Sequence, residues 1–284
     1  MSSDETVSGP LWVLGGLAFF FVLNQLLRLV IPLSARNSAK QQWKWKNTSI
    51  SLAHSVITGT WALFCIYEHP KLAEDLIDTY TPSSHILISF SVGYFIHDFF
   101  DMALCHRKRS SYELMVHHAC CICCFGLAVW TGMFIGYAVV SLFVEVNSVF
   151  LHIRQLLIIT GVGKEEVRYR ISSMLNIGTF AIFRIAVLGW MTRWIVLHKD
   201  DLSLPVYTLG SVVLAVIMLM SIVLFCRICI VDFTKKKQRD HTMVADNTHK
   251  RKVKEAEEAP SGMSGKTTLQ AAKLYSNATN VHLD

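Results

Sequence analysis

Apolar stretches of about twenty residues, each long enough to cross the hydrocarbon of a bilayer, recur along the chain and constrain its fold more than any other feature. Seven can be marked, near 10–33, 48–67, 84–104, 115–131, 134–157, 169–192 and 205–231. In lipid every backbone N–H and C=O must be satisfied within the segment or a closed barrel, so runs of this length are expected as helices. Composition agrees, with 52% hydrophobic residues and a mean hydropathy of +0.39 over 284 residues. Charge collects between the runs and in the last fifty residues, which excludes an ordinary soluble domain. The expected class is an all-α integral membrane protein with seven transmembrane helices.

The positive-inside bias predicts an orientation. Arg36, Lys40, Lys44 and Lys46 follow the first run; Arg107, Lys108 and Arg109 follow the third; Lys164, Arg168 and Arg170 follow the fifth. Lys235, Lys236, Lys237 and Arg239 follow the last. The alternate connections are poor in base, and Met1–Gly9 carries two acids and no Lys or Arg. The N-terminus is therefore expected outside and the C-terminus in the cytosol. A cleaved signal peptide would need a basic flank instead of an acidic one, which favours a retained first helix. The expected organisation is 1–39 with the first helix, 40–232 as a six-helix membrane domain, and 233–284 as a disordered cytosolic tail low in aliphatic periodicity. Sequons at Asn47 and Asn277 fall on the cytosolic side of this topology and are expected to carry no glycan.

Against this apolar background, FIHDFFD (95–101) stands out. An aspartate at the centre of a membrane helix costs roughly 2.5–3.5 kcal/mol on insertion scales. His97, Asp98 and Asp101 are nonetheless joined at similar depth by His54 in the second run, His117 and His118 in the fourth, and Glu145, Asn147, His152 and Arg154 in the fifth. Spacings of three and four place His97, Asp98 and Asp101 on one expected face, and Glu145, Ser148 and His152 on another. Ionisable groups inside membranes usually face a bundle interior, so these residues are expected to line a polar, lipid-binding cavity. Arg184, in the sixth run, must find an acid or carbonyls, and Glu145 is its expected partner. Cys120, Cys121, Cys123 and Cys124 are expected as soft packing residues on a lipid-side helix. His117 and Cys121 share a face, but two ligands do not make a zinc site, and no metal is expected.

WKWKNTSISLAHSVITGTWAL, SVGYFIHDFFD, YELMVHH, VSLFVEVNSVFLHIRQLL and FRIAVLGWM together resemble the TLC domain family, over about 40–232. The resemblance implies a six-helix barrel with a lipid-accessible polar interior, here preceded by one extra helix. It also implies regulation of phospholipid composition at the plasma membrane, limiting polyunsaturated-chain phospholipids and keeping the membrane rigid. Ceramide synthases of the same superfamily carry a His-His pair followed on the next helix by His-Asp-x-x-Asp. Here His117–His118 match the pair, whereas His97-Asp98-x-x-Asp101 precedes it, which departs from the acyl-transfer pattern. The alternative function is accordingly an acyltransferase using acyl-CoA as substrate, in the endoplasmic reticulum, with His118 reacting, His117 beside it, and Asp98 or Asp101 orienting the imidazole. Whether the protein is an enzyme stays open, with a non-enzymatic role favoured. No cofactor is expected. The expected partners are membrane phospholipids, without nucleic acid; protein partners are not specified by the sequence. A seven-helix receptor is disfavoured by the absence of Asp/Glu-Arg-Tyr after the third run and of Asn-Pro-x-x-Tyr in the seventh. A transporter relay lacks a second-half repeat.

Overall fold

The computed structural model describes residues 8–105 and 109–231. Arg107 and Lys108, the acidic N-terminal flank, the tail with its lysine run, and Asn277 lie outside the described residues. The described chain is helical: α1 Gly9–Leu27, α2 Ala39–Glu68, α3 Lys71–Glu74, α4 Pro82–Cys105, α5 Arg109–Thr131, α6 Ile135–Ser141, α7 Val144–Ile159, α8 Val167–Phe180, α9 Val187–Leu197 and α10 Leu204–Cys229. Seven helical stretches are long and apolar enough to cross a membrane, with α6–α7 and α8–α9 each counting as one. The chain forms two compact units, Met1–Val223 and Leu224–Asp284; of the second, the described part is the last turns of α10 and the two residues after it.

Several boundaries differ from the sequence expectation. The first apolar run continues to Leu33, but its helix ends at Leu27 because Pro32 cannot continue it and disfavours helical backbone in the residue before it. The second helix starts nine residues early, at Ala39, where the Ser38 side chain accepts the Gln41 amide as an N-cap. Its first turns therefore carry Lys40, Lys44 and Lys46.

α1 has no polar face and packs on α4. A Cβ at Gly93 would stand 2.5 Å from the Val13 carbonyl oxygen, and one at Gly16 would stand 2.7 Å from that of Phe90. Only glycine permits so close a crossing, and small residues drive such contacts in lipid, where burial of apolar surface supplies no force between helices. The connection 69–81 closes one end of the bundle: Leu72 and Leu76 are buried, and the Phe134 amide donates to the Ile77 carbonyl at 2.7 Å. Asp75 caps that connection; the Asp78 amide above all, against the opposing effect of burial and with help from the Ile77 amide and the Thr79 hydroxyl, holds its carboxyl below the ordinary range. The opposite end, where α2, α5 and α8 begin, is the basic end.

Two helical irregularities sit at membrane depth. Between α6 and α7 the amides of Glu145 and Val146 bond three residues back, to Leu142 and Phe143, so the span tightens immediately before Glu145. Between α8 and α9 a π-helical turn, Ala181–Ala186, carries Arg184. Such wide turns recur at functional sites and free backbone or side chain for other partners.

Candidate functional site

The polar residues expected to line one interior face divide into three groups. Asp98 and His97 are adjacent on α4 and so about 100° apart around its axis. Asp98, fully buried, meets α5: its Oδ2 lies 3.2 Å from His118 Nε2, off the line of a good hydrogen bond, and its Oδ1 accepts from Asn47 on α2. His97 and Asp101 instead face α1 and the start of α2. The Asn24 amide approaches His97 Nε2 at 3.4 Å and Asp101 Oδ1 at 3.5 Å, and the Trp43 indole donates to Asp101 Oδ2 at 2.8 Å. The single face expected for the three is thus corrected: a helix turn is too wide for all of them to reach the His117–His118 pair.

Asp98 belongs to a buried layer with His54, Tyr94, His118 and Glu145. The His54 ring stacks on Tyr94 with centroids 3.8 Å apart, and its Nδ1 lies 3.9 Å from Glu145 Oε2. Ser55 donates to the same Glu145 oxygen at 2.6 Å, and the Tyr94 hydroxyl donates to Ser51 at 3.0 Å. His54 Nε2, Asp98 Oδ2 and both His118 ring nitrogens make no aligned hydrogen bond among the described residues. Buried polar atoms are nearly always satisfied, so a layer with this much spare capacity is suited to binding a polar group. His152, half-buried, lies within electrostatic reach of His54.

The third group leaves the cavity. Asn147 donates to Asn176 and Thr179 on α8 and accepts from Arg184 Nε at 3.1 Å, while Arg184 Nη2 donates to Ser148 at 2.9 Å. Arg184 is held by hydrogen bonds to Asn147 and Ser148, which the π-helical turn sets opposite it, with its expected partner Glu145 within electrostatic reach. Arg154 turns toward α8, its guanidinium 5.4 Å from the Tyr169 ring centroid, and is not a wall of the cavity.

A cavity of about 130 Å³ lies between two apolar clusters, one built on α1, α2, α4, α5 and α6, the other on α6, α7, α9 and α10. Its walls are almost wholly apolar, Phe125, Leu188, Met191 and Leu214 among them; its ionisable groups are Glu145, His117, Cys121, Cys124 and Tyr137. His117 opens into it with Nε2 3.7 Å from the Cys121 thiol. Cys121 and Cys124 thus face the interior, correcting the lipid-side expectation, whereas Cys123 is exposed. His118 points away from the cavity, behind Phe95, toward Asp98. No cluster of three metal-ligating side chains occurs among the described residues.

The profile of the TLC domain matches residues 44–230, from the basic start of α2 to the end of α10. The chain belongs to the TLC domain family. TLC domain-containing protein 2 of Danio rerio is 50% identical over 218 residues, 76% of this chain and 87% of that protein. TLC domain-containing protein 2 of Homo sapiens is 34% identical over 75% of this chain and 79% of its own length. TLC domain-containing protein 1 of Homo sapiens is 30% identical over 81% and 94%. Within this TLC domain the polar layer, the cavity and the π-helical turn all fall inside the matched region; α1 precedes it. Sequence reading overlooked Asn24, Trp43, Ser51, Ser55 and Tyr94. Asn24 carried a signal, since it is a lone amide in the first apolar run; the others sit among residues too ordinary to stand out.

Proposed function

We propose that this TLC domain protein regulates the phospholipid composition and fluidity of the plasma membrane, limiting incorporation of polyunsaturated chains, and that its cavity is where a lipid chain is read. The observation carrying this is an apolar cavity with Glu145 and His117 in its wall, backed by the His54–Asp98–His118 layer. The apolar walls suit hydrocarbon, and Glu145 and His117 offer hydrogen bonds to a polar lipid group. A volume near 130 Å³ is comparable to engineered apolar cavities of about 150 Å³ that hold one benzene, so it admits a segment of one chain and not two. In a packed site of this size, chains of the wrong shape are penalised, since overpacking costs about 1–3 kcal/mol.

The test is the lipidome of cells with and without the protein. Loss is expected to raise polyunsaturated phospholipid species, and re-expression of wild type to reverse the rise, while Glu145→Gln at equal surface abundance does not. An unchanged lipidome on removal would end this reading.

A second reading, acyl transfer from acyl-CoA in the endoplasmic reticulum, is favoured by one observation: the 3.2 Å approach of Asp98 to His118, which puts a carboxylate where a small realignment would let it orient the imidazole. In that case His117, which opens into the cavity, is the imidazole nearer a bound chain. Acyl-CoA turnover by purified protein that is lost in both His117→Ala and His118→Ala supports it; equal background in all three excludes it.

A further inference from the structure

The segment joining α1 to α2 gathers positive charge beside exposed apolar side chains. Leu29 and Leu33 are 78% and 79% exposed, and Val30 lies between them. Arg28 ends α1, while Lys40, Lys44 and Lys46 occupy the opening turns of α2. The fold brings these cations together: Arg28 and Lys46, eighteen residues apart in sequence, lie within electrostatic reach of one another, as do Lys40 and Lys44. Lys46 is only 8% exposed. None of the four forms an ion pair among the described residues. Asp101, the acid nearest Lys46, already accepts from Trp43 and Asn24.

One of these charges, Lys40, also sits in the first turn of α2, where a helix disfavours a cation. The start of a helix is its positive pole and normally collects acids, yet the first turn of α2 holds none. An anion between Arg28 and Lys46 would relieve the like-charge crowding. The connection is ordered enough to present such a site: Arg36 Nε donates to the Ile31 carbonyl at 2.9 Å, Gln42 to that of Arg36 at 3.2 Å, and Gln41 to those of Ser34 and Ile159. A topological charge bias accounts for bases at this end, but not for bringing Arg28 to Lys46.

We propose that the α1–α2 connection docks the phosphate of an anionic phospholipid between Arg28 and Lys46, its chains lying beside Leu29, Val30 and Leu33. The exposed apolar residues commit the site to a lipid, because a soluble anion needs no hydrocarbon contact. This site is separate from the cavity, and its failure would leave the cavity reading untouched.

The full-length protein is purified from bilayers of phosphatidylcholine with a minor share of phosphatidylglycerol, and the lipid it retains is measured by native mass spectrometry. Wild type is expected to retain phosphatidylglycerol selectively, and Arg28→Gln and Lys46→Gln each to reduce that selectivity about fivefold. Lys46→Arg is expected to preserve it, as is Arg193→Gln at the opposite end. Millimolar inorganic phosphate should leave the retained lipid in place. Should Lys46→Gln fail to fold, the exposed Arg28→Gln decides alone. Undiminished selectivity in a folded Arg28→Gln variant would overturn the proposal, as would an equal loss in Arg193→Gln. Displacement by inorganic phosphate would assign the site to free phosphate instead.

Discussion

Asp98 and Asp101 are three residues apart on α4, yet their carboxylates meet different helices: Asp98 faces His118 at 3.2 Å, whereas Asp101 takes the Trp43 indole N–H at 2.8 Å. One therefore belongs to the layer behind the cavity, and the other ties α1 and α2 to α4. Their substitutions should separate. Asp98→Asn at unchanged abundance is expected to abolish the effect on phospholipid composition. Asp101→Ala is expected to lower stability by about 1.5–3 kcal/mol, the range for a hydrogen bond to a charged group, with the lipid effect retained in whatever protein folds. Thermal unfolding in detergent together with the cellular lipidome distinguishes the two; the same phenotype from both would mean one undivided cluster. Arg184 carries a similar lesson. Its hydrogen bonds go to an amide oxygen and a hydroxyl, Asn147 and Ser148, while the Glu145 carboxyl acts on its charge without a hydrogen bond.

Among the elements, α1 depends most on one contact. Its burial on the bundle is slight along most of its length, but at Gly16 and Gly93 the backbones of α1 and α4 nearly touch. Below this crossing, Asn24 reaches His97 and Asp101. Gly93→Leu must push the helices apart, and the polar contacts near Asn24 are expected to part with them. Overpacking of this kind costs about 1–3 kcal/mol, so a lowered thermal midpoint is expected. A cysteine pair at Val13 and Phe90, which leaves both glycines in place, should crosslink in the wild-type background and far more slowly in the Gly93→Leu background. Undiminished crosslinking there would mean that α1 is held elsewhere. The α6–α7 and α8–α9 spans differ from α1 in being broken at depth, once before Glu145 and once at Arg184. Each irregularity presents a polar side chain to neighbouring helices that a regular helix of the same sequence would direct elsewhere.

For the molecule as a whole, topology joins the two ends of the bundle to the two sides of the membrane. The basic end carries the α1–α2 connection and the start of α8; the other is closed by 69–81. The charge bias predicts the basic end in the cytosol. A tag at the N-terminus should then be reachable on intact cells, and one at Asp284 only after permeabilisation. Labelling of both on the same side would contradict an odd number of spans.

Hydropathy alone was enough to specify seven membrane helices, because in lipid an apolar run of that length has no other way to satisfy its backbone. The motifs around His54, FIHDFFD and His117–His118 pointed to the TLC domain family, and the depth of the ionisable residues identified the helices that contribute polar groups. Direction around each helix axis was not legible. A spacing of three or four allows a shared face, but which neighbour that face meets depends on how the helices cross. Packing therefore decided that Asp98 turns to His118 while Asp101 turns to Trp43, and that Asn147 and Arg154 leave the cavity for α8. It also decided the break before Glu145 and the wide turn at Arg184, since no proline marks either and local propensity favours an unbroken helix. Hydrophobicity is summed along the chain and can be read there; a side chain's partner is fixed by neighbours distant in sequence, and exists only once the helices have packed.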